Sequence, residues 1–192
     1  MASRSEQARA VEKRSAILDA AIDLLLTEGL KGLTHRQVAA AAAVPVGSIG
    51  YYYSTRDKLV ATCFEQLLQG RRDAFERANA EGVELSDPVQ LAEAVVDVVA
   101  CGQPQRARAV VTAFIEAQRD PNEVGEYVAQ SLDELKGLIA ELLQCAGVAL
   151  NAARVLQVAV GAALTENTEN APVVAVVAVS YTHLRAHETR ED

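Results

Sequence analysis

The chain of 192 residues is half hydrophobic but only 4 % aromatic, and its formal net charge is −8. This length suffices to bury a sizeable core, and an apolar fraction rich in Ala favours helices over sheets. The longest uninterrupted apolar runs fall far short of the roughly 20 residues that span a bilayer, so no membrane-spanning helix is expected.

Neither a secretion signal nor a disulfide framework is predicted. Asp19 and Asp23 interrupt the first apolar segment, which is therefore unlike a signal peptide. Cys63, Cys101 and Cys145 are odd in number and too far apart for a zinc site, so we expect small buried residues in a reducing compartment. The expected location is the cytoplasm.

The charge is unevenly distributed along the chain. Residues 1–60 contain eight Lys or Arg and six acidic residues, a net charge of +2, whereas the others contain ten basic and twenty acidic residues, a net charge of −10. Nucleic acid repels an acidic body, but a slightly basic N-terminal segment can approach it when its charges lie on one face.

Two helices are predicted near the N-terminus. Apolar residues at a 3.6-residue period predict a helix over 12–28, and Gly29 is suited to end it. Thr34 and Gln37 then have the spacing of a capping box, in which the Thr hydroxyl and the Gln amide each satisfy an unpaired backbone donor. This signal predicts a second helix over about 35–42.

A third, shorter helix follows a turn. Pro45 is compatible with the start of a helix but not with its interior, which predicts a turn and then a helix over about 46–53. This succession is that of a helix-turn-helix. Gly47, Ser48 and Gly50 give the third helix little bulk, at a cost of about 1 kcal/mol per glycine relative to alanine. Glycines are expected in a helix despite this cost where the helix backbone must lie close to another surface.

Three consecutive tyrosines end this helix. Because successive helical residues are about 100° apart, Tyr51, Tyr52 and Tyr53 do not all point into one core, and at least one is expected to face outward. Tyrosine hydroxyls, like Thr, Ser and Arg side chains, bind phosphate oxygens. A third helix lying in the major groove of DNA would account for the small residues and the tyrosines together.

The remainder of the chain is predicted to be all-α. Thr55 is expected to cap a long fourth helix that links an N-terminal head to the body of the protein. Ser86 to Pro88 mark the next break, since proline is favoured in the first helical turn. The sequence has neither strand alternation nor internal repeats. Further helices are predicted over about 88–100, 104–119, 122–147 and 151–166.

The C-terminal sequence SYTHLRAHETRED, from Ser180 on, departs from the Ala/Val pattern and resembles translated vector sequence, so we expect a non-native tail. His183 and His187 within it have the spacing of a metal pair on a helix but lack a third ligand, and neither a metal nor another cofactor is expected. Serine-hydrolase, P-loop and metalloprotease motifs are absent from the sequence, which argues against an enzyme.

Residues of about 14 to 64 resemble the DNA-binding domain of the TetR family of bacterial transcriptional regulators. The matching residues read ILDAAIDLLLTEGLKGLTHRQVAAAAAVPVGSIGYYYSTRDKL and cover the helix-turn-helix with its flanking helices. The resemblance implies an all-α protein with a DNA-binding head at 1–60 and a ligand-binding and dimerisation domain at 61–179, before the tail at 180–192.

The resemblance also implies DNA contacts, position by position. Arg36 matches a position in the second helix that reaches a base edge, and Thr34 and Arg56 match positions that touch phosphates. Tyr52 matches a position, commonly His or Tyr, that meets the DNA backbone, and Tyr53 matches an aromatic core position. The groove-facing part of the third helix is matched by Val46, Gly47, Ser48 and Tyr51.

Two positions depart from the family's pattern. The family very often has Tyr in place of Gly50, a DNA contact for which neighbouring Tyr51 could compensate, and Arg56 stands where Lys is usual. Structural alternatives stay open for these residues. Arg36, Tyr51 and Arg56 can instead be surface residues, and Thr34 can be a helix cap alone.

For the body, the resemblance implies a small-molecule site and a homodimer interface. Helix 104–119 has a polar face that either lines a pocket or is the solvent side of an amphipathic helix. Dimerisation is expected through helix 151–166, which has a stripe of small residues, and through a last helix beginning near Pro172. The candidate ligand-binding residues are Thr112, Phe114, Glu116 and Gln157, because small-molecule sites combine apolar walls with a few polar groups.

The expected function is therefore a DNA-binding transcriptional regulator, specifically a repressor that a small molecule releases from its operator. The alternative is a helical small-molecule-binding protein without specific DNA recognition, prompted by Gly50 and the acidic body. A cytosolic all-α enzyme rests only on Glu116 and a possible pocket. The expected partners are a double-stranded DNA operator, a small-molecule effector and a second copy of the chain, without a membrane.

Overall fold

The computed structural model describes residues 4–80, 83–119 and 123–165, and these residues form α-helices and short turns without strands. The all-α fold predicted from the sequence is confirmed. Among the described residues, none of the helices combines the length and the apolar content needed to cross a bilayer. The helices are α1 (Arg4–Gly32), α2 (His35–Ala41), α3 (Val46–Tyr52), α4 (Arg56–Ala78), α5 (Pro88–Val99), α6 (Ala107–Gln118), α7 (Glu123–Cys145) and α8 (Ala152–Thr165).

Helix α1 is longer than predicted and has a kink near its end. It begins at Arg4 instead of 12 and continues past Gly29, where φ is 72° and ψ is −173°. A side chain at Gly29 would be strained by this φ, and its Cβ would lie 2.8 Å from Glu116 Oε2 on α6. The glycine predicted to end the helix therefore interrupts it, and one further turn leads to α2.

Thr34 caps α2, but the second half of the predicted capping box does not form. Gln37 N donates to Thr34 Oγ1 at 3.2 Å. The Gln37 side chain accepts from the Thr34 hydroxyl at 2.7 Å and donates to Glu28 Oε2 at 3.1 Å. It need not satisfy the Thr34 N–H, because that group donates to Gly32 O at 3.0 Å. The Gln37 amide consequently fastens α2 to α1.

The turn between α2 and α3 is tight and is followed by an anchored helix. Ala43 adopts a left-handed φ of 52°, and Pro45 takes the N-cap position of α3, in agreement with the predicted turn. Ile49 is fully buried and Tyr53 is 1 % exposed. These two side chains fix which face of α3 is turned toward the core.

Two hydrophobic clusters organise the described residues. One joins α1, α2, α3 and the first half of α4 to α6 and the start of α7, and the other joins the second half of α4 to α5, α6, α7 and α8. Helix α4 belongs to both, so it links head to body as expected, and Thr55 caps it by accepting from Lys58 N at 3.1 Å. The first cluster contains residues on both sides of residue 60. The domain boundary predicted at this residue stays a prediction.

The body helices lie close to their predicted bounds, with three qualifications. The segment predicted as one helix over 104–119 is a 3₁₀ turn (Pro104–Arg106) followed by α6. Cys63 and Cys101 are buried as expected, but Cys145 is exposed because it lies at the end of α7. The helix expected near Pro172 and the tail at 180–192, with His183 and His187, lie outside the described residues.

Helix α8 uses much of its small-residue stripe within its own chain. It packs against α5, α6 and α7. Leu156, Ala159 and Ala163 are buried in this contact. A dimer interface on α8 stays a prediction.

Candidate nucleic-acid interface

Helix α3 presents its small residues to solvent. Val46 is 51 % exposed and Tyr51 is 83 % exposed, whereas Ile49 on the opposite face is buried. Gly47 and Gly50 are exposed as well, and a Cβ built at either position has no atom within 4 Å. Packing within the described chain therefore does not require either glycine.

The three tyrosines occupy three different environments. Tyr51 is exposed, Tyr52 is half-buried and Tyr53 is buried, which confirms that one lies in the core and at least one faces outward. The Tyr51 and Tyr52 rings meet edge to face, with centroids 5.1 Å apart and an interplanar angle of 86°. This contact supports the exposed Tyr51 ring. Burial raises the pKa of the Tyr53 hydroxyl, which stays neutral in the core.

Thr34 and Arg36, the residues at α2 that are predicted to touch DNA, differ in their exposure and in their contacts within the protein. Helix α2 packs against α3, and Arg36 in its first turn is exposed. Thr34 is half-buried, and its hydroxyl both accepts from Gln37 N and donates to Gln37 Oε1. A donated hydrogen bond from Thr34 to a phosphate would have to replace the one to Gln37. Ser48 on α3 is half-buried.

Arg56, at the start of α4, binds the last turn of α1 and the residue that follows it. Its Nε donates to Leu33 O at 3.0 Å and its Nη2 donates to Leu30 O. Its Nη1 also lies 3.8 Å from Asp57 Oδ1. The last carbonyls of a helix have no partner within the helix, so Arg56 closes the end of α1. Sequence reasoning missed this role, because no local pattern predicts a contact across 23 positions.

The polar face of α6 lies against the head. Thr112 and Glu116 line a cleft of about 600 Å³ between α6 and α1. Glu116 Oε2 accepts from Leu30 N at 3.3 Å. Arg106 also lines this cleft, and its Nη1 lies 2.6 Å from Asp23 Oδ1 on α1. These contacts join α6 to the helix that supports α2.

The four candidate ligand-binding residues are not brought together. Phe114 is 7 % exposed and packs edge-on against Phe64 in the core, with ring centroids 5.1 Å apart. Gln157 is exposed on α8. Thr112 and Glu116 share the cleft with α1, so the four side chains do not line one pocket.

Sequence comparison relates the head to a known family. Residues 17–63 match the profile of bacterial regulatory proteins of the tetR family. An uncharacterized HTH-type transcriptional regulator encoded in the dhlA 5′ region of Xanthobacter autotrophicus is 40 % identical over 57 residues. This alignment covers 30 % of the present chain and 28 % of that regulator, so it spans little more than a quarter of the curated relative.

Structural comparison extends the relationship to the body. The multidrug binding protein EbrR, solved with malachite green, has a TM-score of 0.63 and 25 % identity, over 89 % of this chain and 96 % of that one. A TetR-family member from Streptomyces coelicolor A3 has a TM-score of 0.62 and 27 % identity, over 90 % of this chain and 98 % of that one.

These similarities relate residues 17–63 to helix-turn-helix transcriptional regulators. Residues 17–63 match the tetR family of bacterial regulatory proteins, in agreement with the resemblance, and the fold is similar to that of a solved TetR-family member. The alternative of a helical binding protein without DNA recognition is not favoured.

Proposed function

We propose that this regulator binds a double-stranded DNA operator through α2 and α3 and acts as a repressor that a small molecule releases. The exposed face of α3 carries this proposal. Gly47 and Gly50 lower helix stability, yet no contact within the described chain requires them. Such a face allows the helix backbone to approach base edges in a major groove. Arg36 on α2 and Tyr51 at the end of α3 supply polar groups beside it.

Release of the operator is proposed to pass through the junction of α1 and α6. The Glu116 carboxylate holds Leu30 N, and Leu30 O accepts from Arg56 on α4. A ligand that favours another position of α6 would therefore change how the end of α1 is held, and with it the position of α2 and α3. The similar multidrug binding protein EbrR forms a complex with malachite green, which supports a small-molecule ligand for this protein.

The remaining assignments complete the proposal. The head at 1–60 would bind DNA, and the segment at 61–179 would hold the ligand and form a homodimer that sets two α3 helices about one DNA turn apart. The protein would act in the cytoplasm without catalytic activity. Thr34, Ser48, Tyr52 and Arg56 are proposed as further DNA contacts, and Thr112 and Glu116 as residues of the response to ligand.

Fluorescence anisotropy with the DNA upstream of the protein's own gene tests the proposed interface. Arg36→Ala should raise the operator Kd by about tenfold, the usual effect of losing a side chain on a base edge. Tyr51→Ala should raise it as well. Lys136→Ala, which changes an exposed cationic residue on α7, is the matched control and should leave the Kd unchanged. Wild-type affinity in both head variants would contradict an interface on α2 and α3.

A further inference from the structure

The core of the body contains a buried cation. Arg71 is 2 % exposed, and Arg71 and Ser131 are the buried polar residues of the described part of the chain. They lie where α4 meets α7. Arginine is almost never fully buried unless it is paired.

The sequence places Arg71 inside through the helical period of α4. It follows the buried residues Leu67 and Leu68 at spacings of four and three, and so continues their stripe. Its neighbour Gly70 allows close contact with the end of α5, because a Cβ there would lie 2.6 Å from Cys101 O. Helix α4 and the turn after α5 are therefore in backbone contact beside the guanidinium.

The groups in direct contact with Arg71 are neutral. Its Nη1 donates to Ser131 O at 3.3 Å, and its Cζ lies 4.9 Å from the centroid of the Phe114 ring. The Cys101 thiol is also close. Burial raises the pKa of this thiol although Arg71 opposes the shift, so the thiol stays protonated and carries no compensating charge. The Arg71 Nε is buried and has no hydrogen-bond partner.

The Glu134 carboxylate, which Arg71 also influences, is bound by another arginine, Arg72. Glu134 accepts from Arg72 Nε at 2.7 Å and from Arg72 Nη2 at 3.2 Å. These bonds lower the pKa of Glu134, to which Arg71 adds a smaller effect. No ion pair joins Arg71 to a carboxylate within the part of the chain that the structure describes.

The guanidinium edge formed by Nε and one Nη of Arg71 is suited to bind a ligand. A carboxylate binds an arginine bidentately through Nε and one Nη, as Glu134 binds Arg72. On Arg71, the Nε of this edge is the nitrogen without a partner. An uncompensated buried cation is unfavourable, and an incoming anion with good geometry compensates it.

We propose that Arg71 is the anchor for an organic carboxylate, the class of effector to which this regulator responds, with the apolar part of the ligand against Phe114. The proposal rests on the ligand-responsive function proposed above. It does not depend on DNA binding, so it is tested on the protein alone. Failure of the anion site would leave operator binding intact, and failure of operator binding would leave the anion site intact.

Thermal unfolding with benzoate and octanoate, and with their neutral amides as controls, tests this assignment. At roughly one hundred times its Kd, a bound carboxylate should raise the Tm by about 5 °C or more. The amides should have no effect, because they lack the charge. Arg71→Met should abolish the carboxylate effect, whereas Arg154→Met, the same change at an exposed position, should retain it.

A second variant guards against a folding defect in Arg71→Met. Arg71→Lys keeps the charge but loses the planar fork, and calorimetric titration should show a Kd for the carboxylate at least about tenfold higher than in the wild type. The proposal is wrong if neither carboxylate raises the wild-type Tm. It is equally wrong if the amides protect as well as the acids, or if the Arg71 variants bind the carboxylate with wild-type Kd.

Discussion

The substitution Gly47→Ala separates the stability of the head from its function. Gly47 lies in the first turn of α3, and a Cβ at this position meets no atom within 4 Å. The methyl group therefore causes no clash within the described chain, and alanine restricts the unfolded chain more than glycine does. The free energy of unfolding should rise by about 0.5–1 kcal/mol, which for a chain of this size raises the Tm by about 1–4 °C.

The same methyl group should weaken operator binding. If the backbone of α3 approaches the groove at Gly47, a side chain there pushes the helix away from the bases. We expect the operator Kd to rise by about tenfold, or about 1.4 kcal/mol. Urea unfolding followed by circular dichroism gives the stability, and fluorescence anisotropy gives the Kd.

The matched control is Gly137→Ala on the exposed face of α7, where a Cβ also meets no atom within 4 Å. This variant should gain similar stability and keep the wild-type operator Kd. The reasoning is refuted if Gly47→Ala lowers stability, or if it gains stability without any loss of operator affinity. In the second case, Gly47 would not be needed for close contact between α3 and DNA.

The further predictions concern two contacts and the cysteine thiols. Glu116→Ala removes the acceptor of Leu30 N, so hydrogen exchange at the Leu30 amide should accelerate and the free energy of unfolding should fall by about 1 kcal/mol; an unchanged exchange rate would disprove the contact. Arg56→Lys loses the fork on two carbonyls, and urea unfolding should show a loss of about 1–2 kcal/mol, whereas no loss would mean that Arg56 does not hold α1. A thiol reagent should modify Cys145 quickly and Cys63 only after unfolding. Burial raises the pKa of Cys63 from near 9 to about 12, so between these pH values the unfolded thiol ionises first and stability should fall with rising pH, by at most about 1.4 kcal/mol per pH unit.

Local signals in the sequence account for much of the head. The caps at Thr34 and Thr55 lie where capping patterns place them, and Gly29 interrupts α1 with the φ that only glycine adopts readily. Such features depend on a few neighbouring residues. The prediction for Gln37 was wrong in part. Its side chain was expected to accept from the Thr34 N–H, but that N–H already donates to Gly32 O.

Contacts between distant segments could not be predicted in this way. A helical period shows that α6 has a polar face but not which element covers it, and packing turns Thr112 and Glu116 toward α1 while Phe114 enters the core. An arginine on a helix is ordinarily a solvent-facing residue, so the burial of Arg71 has no signature in the sequence beyond its place among the leucines of α4. The DNA contacts themselves rest on resemblance to a family and stay predictions.

Operator binding by the wild-type chain tests the central claim most directly. Fluorescence anisotropy should compare the DNA upstream of the protein's own gene with a scrambled duplex of equal length, at several salt concentrations. The account predicts tighter binding to the upstream DNA at every salt concentration. On both duplexes, log K should fall linearly with the logarithm of the salt concentration, with a slope of about 0.9 for each phosphate neutralised. Equal affinity for the two duplexes across the whole series would contradict a sequence-specific regulator.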